Sequence, residues 1–249
     1  MEDRIVGILG GMGPKATVDL LAKIVEETHA KTEQDDLRII IDNNPKMPSR
    51  QEAILNGGES PVPVMIETAR NIERAGADFL ILGANTPHYY FDEIASAIHI
   101  PMIHIIDEAV KDMKRRIPGI KKVGVLATSA AAKACLYESS CRRFGVDVVA
   151  ATAEEQDIIQ ESFYTFKFHG RTAGCVKAIR QCGDALIARG AESLIMGCTE
   201  FPVILSGEAF TVPLTDPNDI IARVVVAYAK HRYDPFNPES ALDWPETEN

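Results

Sequence analysis

No stretch of this 249-residue sequence stays apolar for the roughly 18 residues that a membrane-crossing helix needs, and no membrane partner is expected. Positive charge is in deficit: 26 Lys and Arg face 36 Asp and Glu, a formal charge of −10. That balance argues against nucleic acid, whose non-specific binding requires a basic surface. Cysteine is sparse, and Cys135, Cys141, Cys175, Cys182 and Cys198 include no Cys-x-x-Cys pair. An odd count points to free thiols in a reducing compartment, and spacings of six and seven residues suit zinc poorly, so no metal is expected. The opening Met1-Glu2-Asp3-Arg4 lacks the basic start and apolar stretch of a signal peptide, so a cytoplasmic location is expected. A nucleotide fingerprint is missing as well. Gly10-Gly11-Met12-Gly13-Pro14 has neither Gly-x-Gly-x-x-Gly spacing nor the Lys-Ser/Thr end of a phosphate loop. With 46% apolar and 25% charged residues, the chain reads as a soluble globular protein of one large or two small α/β domains.

What is present is repetition. Residues 74–86 and 188–200 align at an offset of 114, pairing Gly76 with Gly190, Leu80 with Leu194 and Gly83 with Gly197. A second echo, Ile5-Val6-Gly7-Ile8-Leu9 against Lys122-Val123-Gly124-Val125-Leu126, has an offset of 117. Short apolar strands alternate with helix-period segments throughout. Strands are expected at Arg4–Leu9, Leu37–Ile41, Phe79–Leu82, Pro101–Ile106, Lys122–Leu126, Val146–Ala150 and Ser193–Met196. Helices are expected at Thr17–Lys31, after the Ser60-Pro61 cap, at Asp107–Arg116, near 130–144, 154–166 and 172–189, and at Asp216–Lys230. From Asp234 the proline- and acid-containing tail reads as an extended or disordered segment. This alternation implies parallel sheets flanked by helices, with ligands beyond the carboxyl ends of the strands. The expected division is 1–116 plus 214–249 for one subdomain and 117–213 for the other.

The repeat places Ala84 opposite Cys198, each just past a strand end. Cys198 follows Gly197, which would allow a tight turn, and a helix N-terminus beyond it would lower the thiol pKa; the alternative is a buried small hydrophobe. Asn85, Thr86 and Thr199 suit a carboxylate, or simply cap helices. His88 is either a proton donor near neutral pH or a structural hydrogen-bonder. The loop around Met12 could bring backbone N–H groups against a small carboxylate, or be only a strand-to-helix turn. Arg50, in a loop after the second strand, could hold a carboxylate in two-pronged fashion, or be solvated. Lys167 between Phe166 and Phe168 could meet an acidic substrate.

Taken together, Gly7 through Pro14, Pro48-Ser49-Arg50, Asn85-Thr86-Pro87-His88, Val125-Leu126-Ala127-Thr128, Gly197-Cys198-Thr199-Glu200 and Asp216-Pro217 resemble the aspartate/glutamate racemase family, the cofactor-independent amino-acid racemases. The resemblance runs from about Val6 to Ala229. It implies two similar α/β subdomains related by pseudo-twofold symmetry, an active site in the cleft between them, no cofactor, and a homodimer. It further implies that Cys198 is an acid/base on one face of the substrate, with Ala84 where a partner cysteine usually stands. Met12, Asn85, Thr86, Thr128 and Thr199 would bind substrate, with Arg50 and Lys167 on the side-chain carboxylate of aspartate or glutamate. Thr128-Ser129-Ala130-Ala131 departs from the family's usual Ala-Thr-x-Gly-Thr. Since Ala84 moves no proton, four readings stay open. His88, Thr86 or a water serves the empty face; the reaction needs one acid only, as in a lyase or the related one-cysteine arylmalonate decarboxylases acting on a dicarboxylate; the protein binds carboxylates without turnover; or Ala84 is an introduced substitution.

Overall fold

The computed structural model describes residues 2–242. The first half runs β1 (Val6–Gly10), α1 (Pro14–Thr28), β2 (Ile39–Asn43), α2 (Arg50–Asn56), α3 (Val62–Arg74), β3 (Phe79–Leu82), α4 (Phe91–Ala95), β4 (Met102–Ile103) and α5 (Ile105–Arg116). The second runs β5 (Lys122–Leu126), α6 (Ser129–Lys133), α7 (Leu136–Arg143), β6 (Asp147–Val149), α8 (Ala153–His169), α9 (Ala173–Ala188), β7 (Leu194–Met196), α10 (Phe201–Ile204) and β8 (Leu214–Thr215). Finally α11 (Pro217–Ala229) returns to the first half, where it packs on α1 and α5. The two sheets are all-parallel, in the orders β2-β1-β3-β4 and β6-β5-β7-β8. Buried clusters cover both faces of each, as parallel sheets require.

The repeat read in the sequence is a repeat of register. Gly7 pairs with Leu80 in the first sheet and Gly124 with Leu194 in the second; Leu9–Leu82 is matched by Leu126–Met196. Each central-strand glycine lets a helix approach closely. A Cβ on Gly7 would meet Ile72 of α3 at 2.6 Å, and one on Gly124 would meet Leu186 of α9 at 3.0 Å.

Several boundaries differ from the sequence expectation. The strand expected over Pro101–Ile106 shrinks to β4, because His104 caps α5 by accepting from Asp107 N–H at 3.2 Å. The helix expected at 130–144 breaks into α6 and α7, with Cys135 left-handed between them (φ 50°). Leu214–Thr215 pairs with β7 in the second sheet, so the return crossing lies after Thr215 rather than before Leu214. Arg116 links the two crossings: its guanidinium meets Asp112 at 2.6 Å and donates to Thr215 Oγ1 at 3.0 Å. The start of the tail lies on the first half, with Phe236 edge-on to Tyr228 and Leu242 against the core; the rest of it lies outside the described residues.

Candidate active site

The carboxyl ends of β1, β3 and β7 open onto one cleft of about 370 Å³, the position that open parallel sheets reserve for ligands. The first half contributes Met12, Arg50, Ala84, Asn85 and Thr86 to its walls. The second contributes Thr128, Lys167, Cys198 and Thr199. Nine of the ten candidate residues thus share one cavity; His88 does not line it.

Cys198 is buried at the end of β7, with 7% of its surface exposed. Its Sγ donates to Glu200 Oε2 at 2.9 Å, and the Thr199 hydroxyl donates to the same oxygen at 2.8 Å. Burial, and then the Glu200 carboxylate, push the thiol pKa well above its ordinary value; the backbone N–H groups of Thr199 and Glu200 pull only partly the other way. This corrects the expectation of a thiolate favoured by a helix N-terminus. The helix beyond is the four-residue α10, and a carboxylate in hydrogen-bond contact outweighs so short a run of amides. At neutral pH Cys198 therefore carries its proton. Gly197 serves close approach rather than a turn: a Cβ there would lie 2.8 Å from the Tyr137 ring and 3.1 Å from the Ala127 methyl.

Across the cleft, Ala84 is buried and clusters with Met12, Met47 and Leu82. Its methyl carries no transferable proton. Beside it, neither side-chain atom of Asn85 has a hydrogen-bond partner, and the same holds for Thr128 Oγ1. Buried polar groups are rarely left unpaired, so these two side chains on one cavity wall have bonding capacity for a polar ligand or for water. Two cations stand nearby. Arg50 opens α2 instead of lying in a loop, because Ser49 caps that helix by accepting from Glu52 N–H. Its Nη1 donates to Pro48 O at 3.1 Å, and burial lowers its pKa. Lys167, in the last turn of α8, lies 5.8 Å from the Phe163 ring centroid. Among the described residues no Asp or Glu forms an ion pair with either cation.

His88 does something else. In the 3-10 turn Thr86–Tyr90 it is buried, with Nδ1 3.0 Å from Asn85 O and Nε2 accepting from Ile105 N–H at 3.2 Å. Burial, then neighbouring His104, push its pKa down to about 3. Both ring nitrogens are occupied and the ring is neutral, so of the two roles open to it in the sequence the structural one fits: fixing the backbone that presents Asn85. The sequence reading missed Glu200 as partner of the thiol, although Cys-x-Glu stood in plain view, and it missed Gln51, the neighbour of Arg50, which also lines the cleft.

Comparison with known proteins identifies the family and the fold. Over 227 residues the chain is 26% identical to the broad specificity amino-acid racemase RacX of Bacillus subtilis (strain 168), covering 90% of this chain and 97% of that one. The Picrophilus torridus aspartate racemase superposes with a TM-score of 0.79 at 28% identity, covering 96% of each chain. An aspartate racemase homologue from Pyrococcus horikoshii OT3 gives 0.74 at 27% identity, over 91% of this chain and 99% of that one. A glutamate racemase from Francisella tularensis, solved with D-glutamate, shares the fold at 18% identity and a TM-score of 0.66, over 93% of this chain and 82% of that one. The Asp/Glu/hydantoin racemase family pattern matches residues 9–225, and the chain belongs to that family.

Proposed function

We propose that this protein is a cofactor-independent racemase-like enzyme acting on an acidic amino acid, aspartate or glutamate, with Cys198 as the acid/base on one face of the α-carbon. The observation that carries the reading is the hydrogen-bonded Cys198–Glu200 pair facing the Ala84 methyl across a cleft that also holds Arg50 and Lys167. Asn85, Thr86, Thr128 and Thr199 receive the α-carboxylate. Their donors stabilise the enolate-like charge that develops on it when the α-proton leaves, which is where pre-placed dipoles are most effective. Arg50 and Lys167 take the distal carboxylate. Cys198 gives its proton to the α-carbon, or, once deprotonated, removes one. On the opposite face Ala84 does neither, and water serves there.

The resting state of the thiol favours a second reading of the same residues. A protonated Cys198 is poised to quench a carbanion formed by loss of carbon dioxide from a small dicarboxylate. Exchange of the α-proton in D₂O, followed by NMR for both enantiomers of aspartate and glutamate, tests the first reading; no exchange in any of the four sinks it. Carbon dioxide release that disappears in Cys198→Ala supports the second. Ligand-induced thermal stabilisation with neither reaction would leave a carboxylate-binding relative.

A further inference from the structure

Helix α2 belongs to the first half by sequence and sheet, yet it packs chiefly against α6 of the second. Two side chains from the second half hold its ends. Lys133 Nζ donates to Leu55 O at 2.8 Å, and Gln160 Nε2 donates to Gln51 Oε1 at 3.3 Å. Gln160 is itself held, because Ser129 N–H donates to its Oε1 at 2.7 Å. One turn earlier on α8, Gln156 Nε2 donates to Ala127 O at 3.0 Å and Ser129 Oγ at 3.3 Å. Gln156, Gln160, Phe163 and Lys167 follow helical spacing, so one stripe of α8 carries both the cleft wall and this amide contact.

The bonds have a direction that hydrogen-bond inventory fixes. Ser129 N–H can only donate, so the oxygen of the Gln160 amide must face it. The amide's NH₂ then faces Gln51, whose oxygen must accept. What Gln51 has left is its own NH₂, a pair of donors on a residue that lines the cleft. Donors on a residue in the wall of a cavity that also holds Arg50 and Lys167 match an acceptor-only group.

We infer that Gln160 is a positioning residue: it holds the Gln51 amide donor-first, and Gln51 with Arg50 and Lys167 selects substrates whose distal group is an ionised carboxylate. The inference rests on the acidic-substrate reading and deepens it. Gln160 touches no substrate; it acts through Gln51.

The test is a double-mutant cycle read by calorimetry on the intact protein, with succinate and butyrate as probes of equal chain length. Gln51→Met and Gln160→Met should each weaken succinate at least about tenfold, the usual worth of a hydrogen bond to a charged group, and leave butyrate within about twofold. The double variant should be no weaker than Gln51→Met alone, because the two residues act as one; a merely structural Gln160 would give additive losses on both probes. Gln160→Glu is the second variant. It still accepts from Ser129 N–H but offers Gln51 no donor, so it too should lose the succinate preference. A folded Gln160 variant that keeps the wild-type preference, or additivity in the cycle, overturns the inference while the acidic-substrate reading stands. A wild type that binds butyrate as well as succinate overturns the acidic-substrate reading and this inference with it.

Discussion

Replacing Glu200 by Gln should make Cys198 a stronger acid. The Cys198 proton lies between sulfur and a carboxylate oxygen 2.9 Å away, so a thiolate there would face a full negative charge at contact. At that distance the repulsion is about 1.4 kcal/mol even at the dielectric of bulk water, and about 6 kcal/mol at an effective dielectric near 20. Glu200 is partly exposed, which favours the lower figure as the guaranteed minimum. Gln keeps the length of the side chain, removes the charge and can turn its NH₂ toward the sulfur, which adds stabilisation of the thiolate. The smaller energy alone corresponds to about tenfold more thiolate at any pH below its titration. The assay is iodoacetamide alkylation of the Cys198 peptide, followed by mass spectrometry as a function of pH in wild type and Glu200→Gln. Accessibility is common to both proteins, so the ratio of rates reports ionisation. The variant should react at least about tenfold faster at neutral pH. Equal rates, or a profile moved to higher pH, would refute the claim that Glu200 holds the thiol protonated.

Three further outcomes follow from the same geometry. Ala84→Cys puts a thiol opposite Cys198 and, on the proposed racemase reading, should raise racemisation of aspartate or glutamate by about 10²–10⁴-fold, the usual contribution of a general acid–base group; chiral chromatography showing no gain would mean that the substrate is another acid. Gly197→Ala drives a methyl to 2.8 Å from the Tyr137 ring and should cost about 1–3 kcal/mol of overpacking, which a thermal melt would register as a drop of several degrees; an unchanged melting temperature would count against close approach as the reason for this glycine. His88 has its pKa pushed down to about 3 when folded, against about 6.5 unfolded. The unfolded chain therefore binds the extra proton between those values, and stability should be full above pH 6.5 and fall as pH drops, by about 2–3 kcal/mol at pH 4.5. Denaturant titrations of wild type and His88→Gln across that range should diverge; parallel curves would show that His88 does not titrate on unfolding.

The fold was legible because its two halves spell the same strands. The offsets of 117 and 114 differ by the three residues that separate the Gly7–Leu80 and Gly124–Leu194 spacings, so register could be read from letters alone. What was not legible hung on single side chains acting out of type. His104 is an unusual helix cap, and its accepting ring nitrogen starts α5 two residues before the expected helix. Cys135 takes a left-handed conformation that mostly belongs to Gly or Asn, and so splits a helix that periodicity joins. In the cleft, residue identities were readable while their electrostatics were not. The Cys198 shift depends on burial first and then on where the Glu200 carboxylate points, and the role of His88 on Ile105, seventeen residues away. Spacing in sequence carries neither piece of information.

The halves that match in backbone differ in the side chain each sets at its facing strand end, Ala84 against Cys198, and that difference orders the chemistry. A two-sided proton exchange needs an acid on one face and a base on the other. This cleft offers a protonated thiol on one face and a methyl among methionines on the other. On the proposed function, delivery of a proton from Cys198 is therefore the step this protonation state favours. Removal of one requires the thiol first to lose its own proton; the acceptor bonded to that proton among the described residues is Glu200, which is partly exposed and can pass it to solvent. The same contact that adds to burial in holding the Cys198 proton is thus its route of exchange with water. In D₂O the label should enter the enantiomer whose Cα–H faces Cys198 with its configuration retained. Inversion, which needs water to act at the Ala84 face, should trail behind exchange unless a thiol is introduced there.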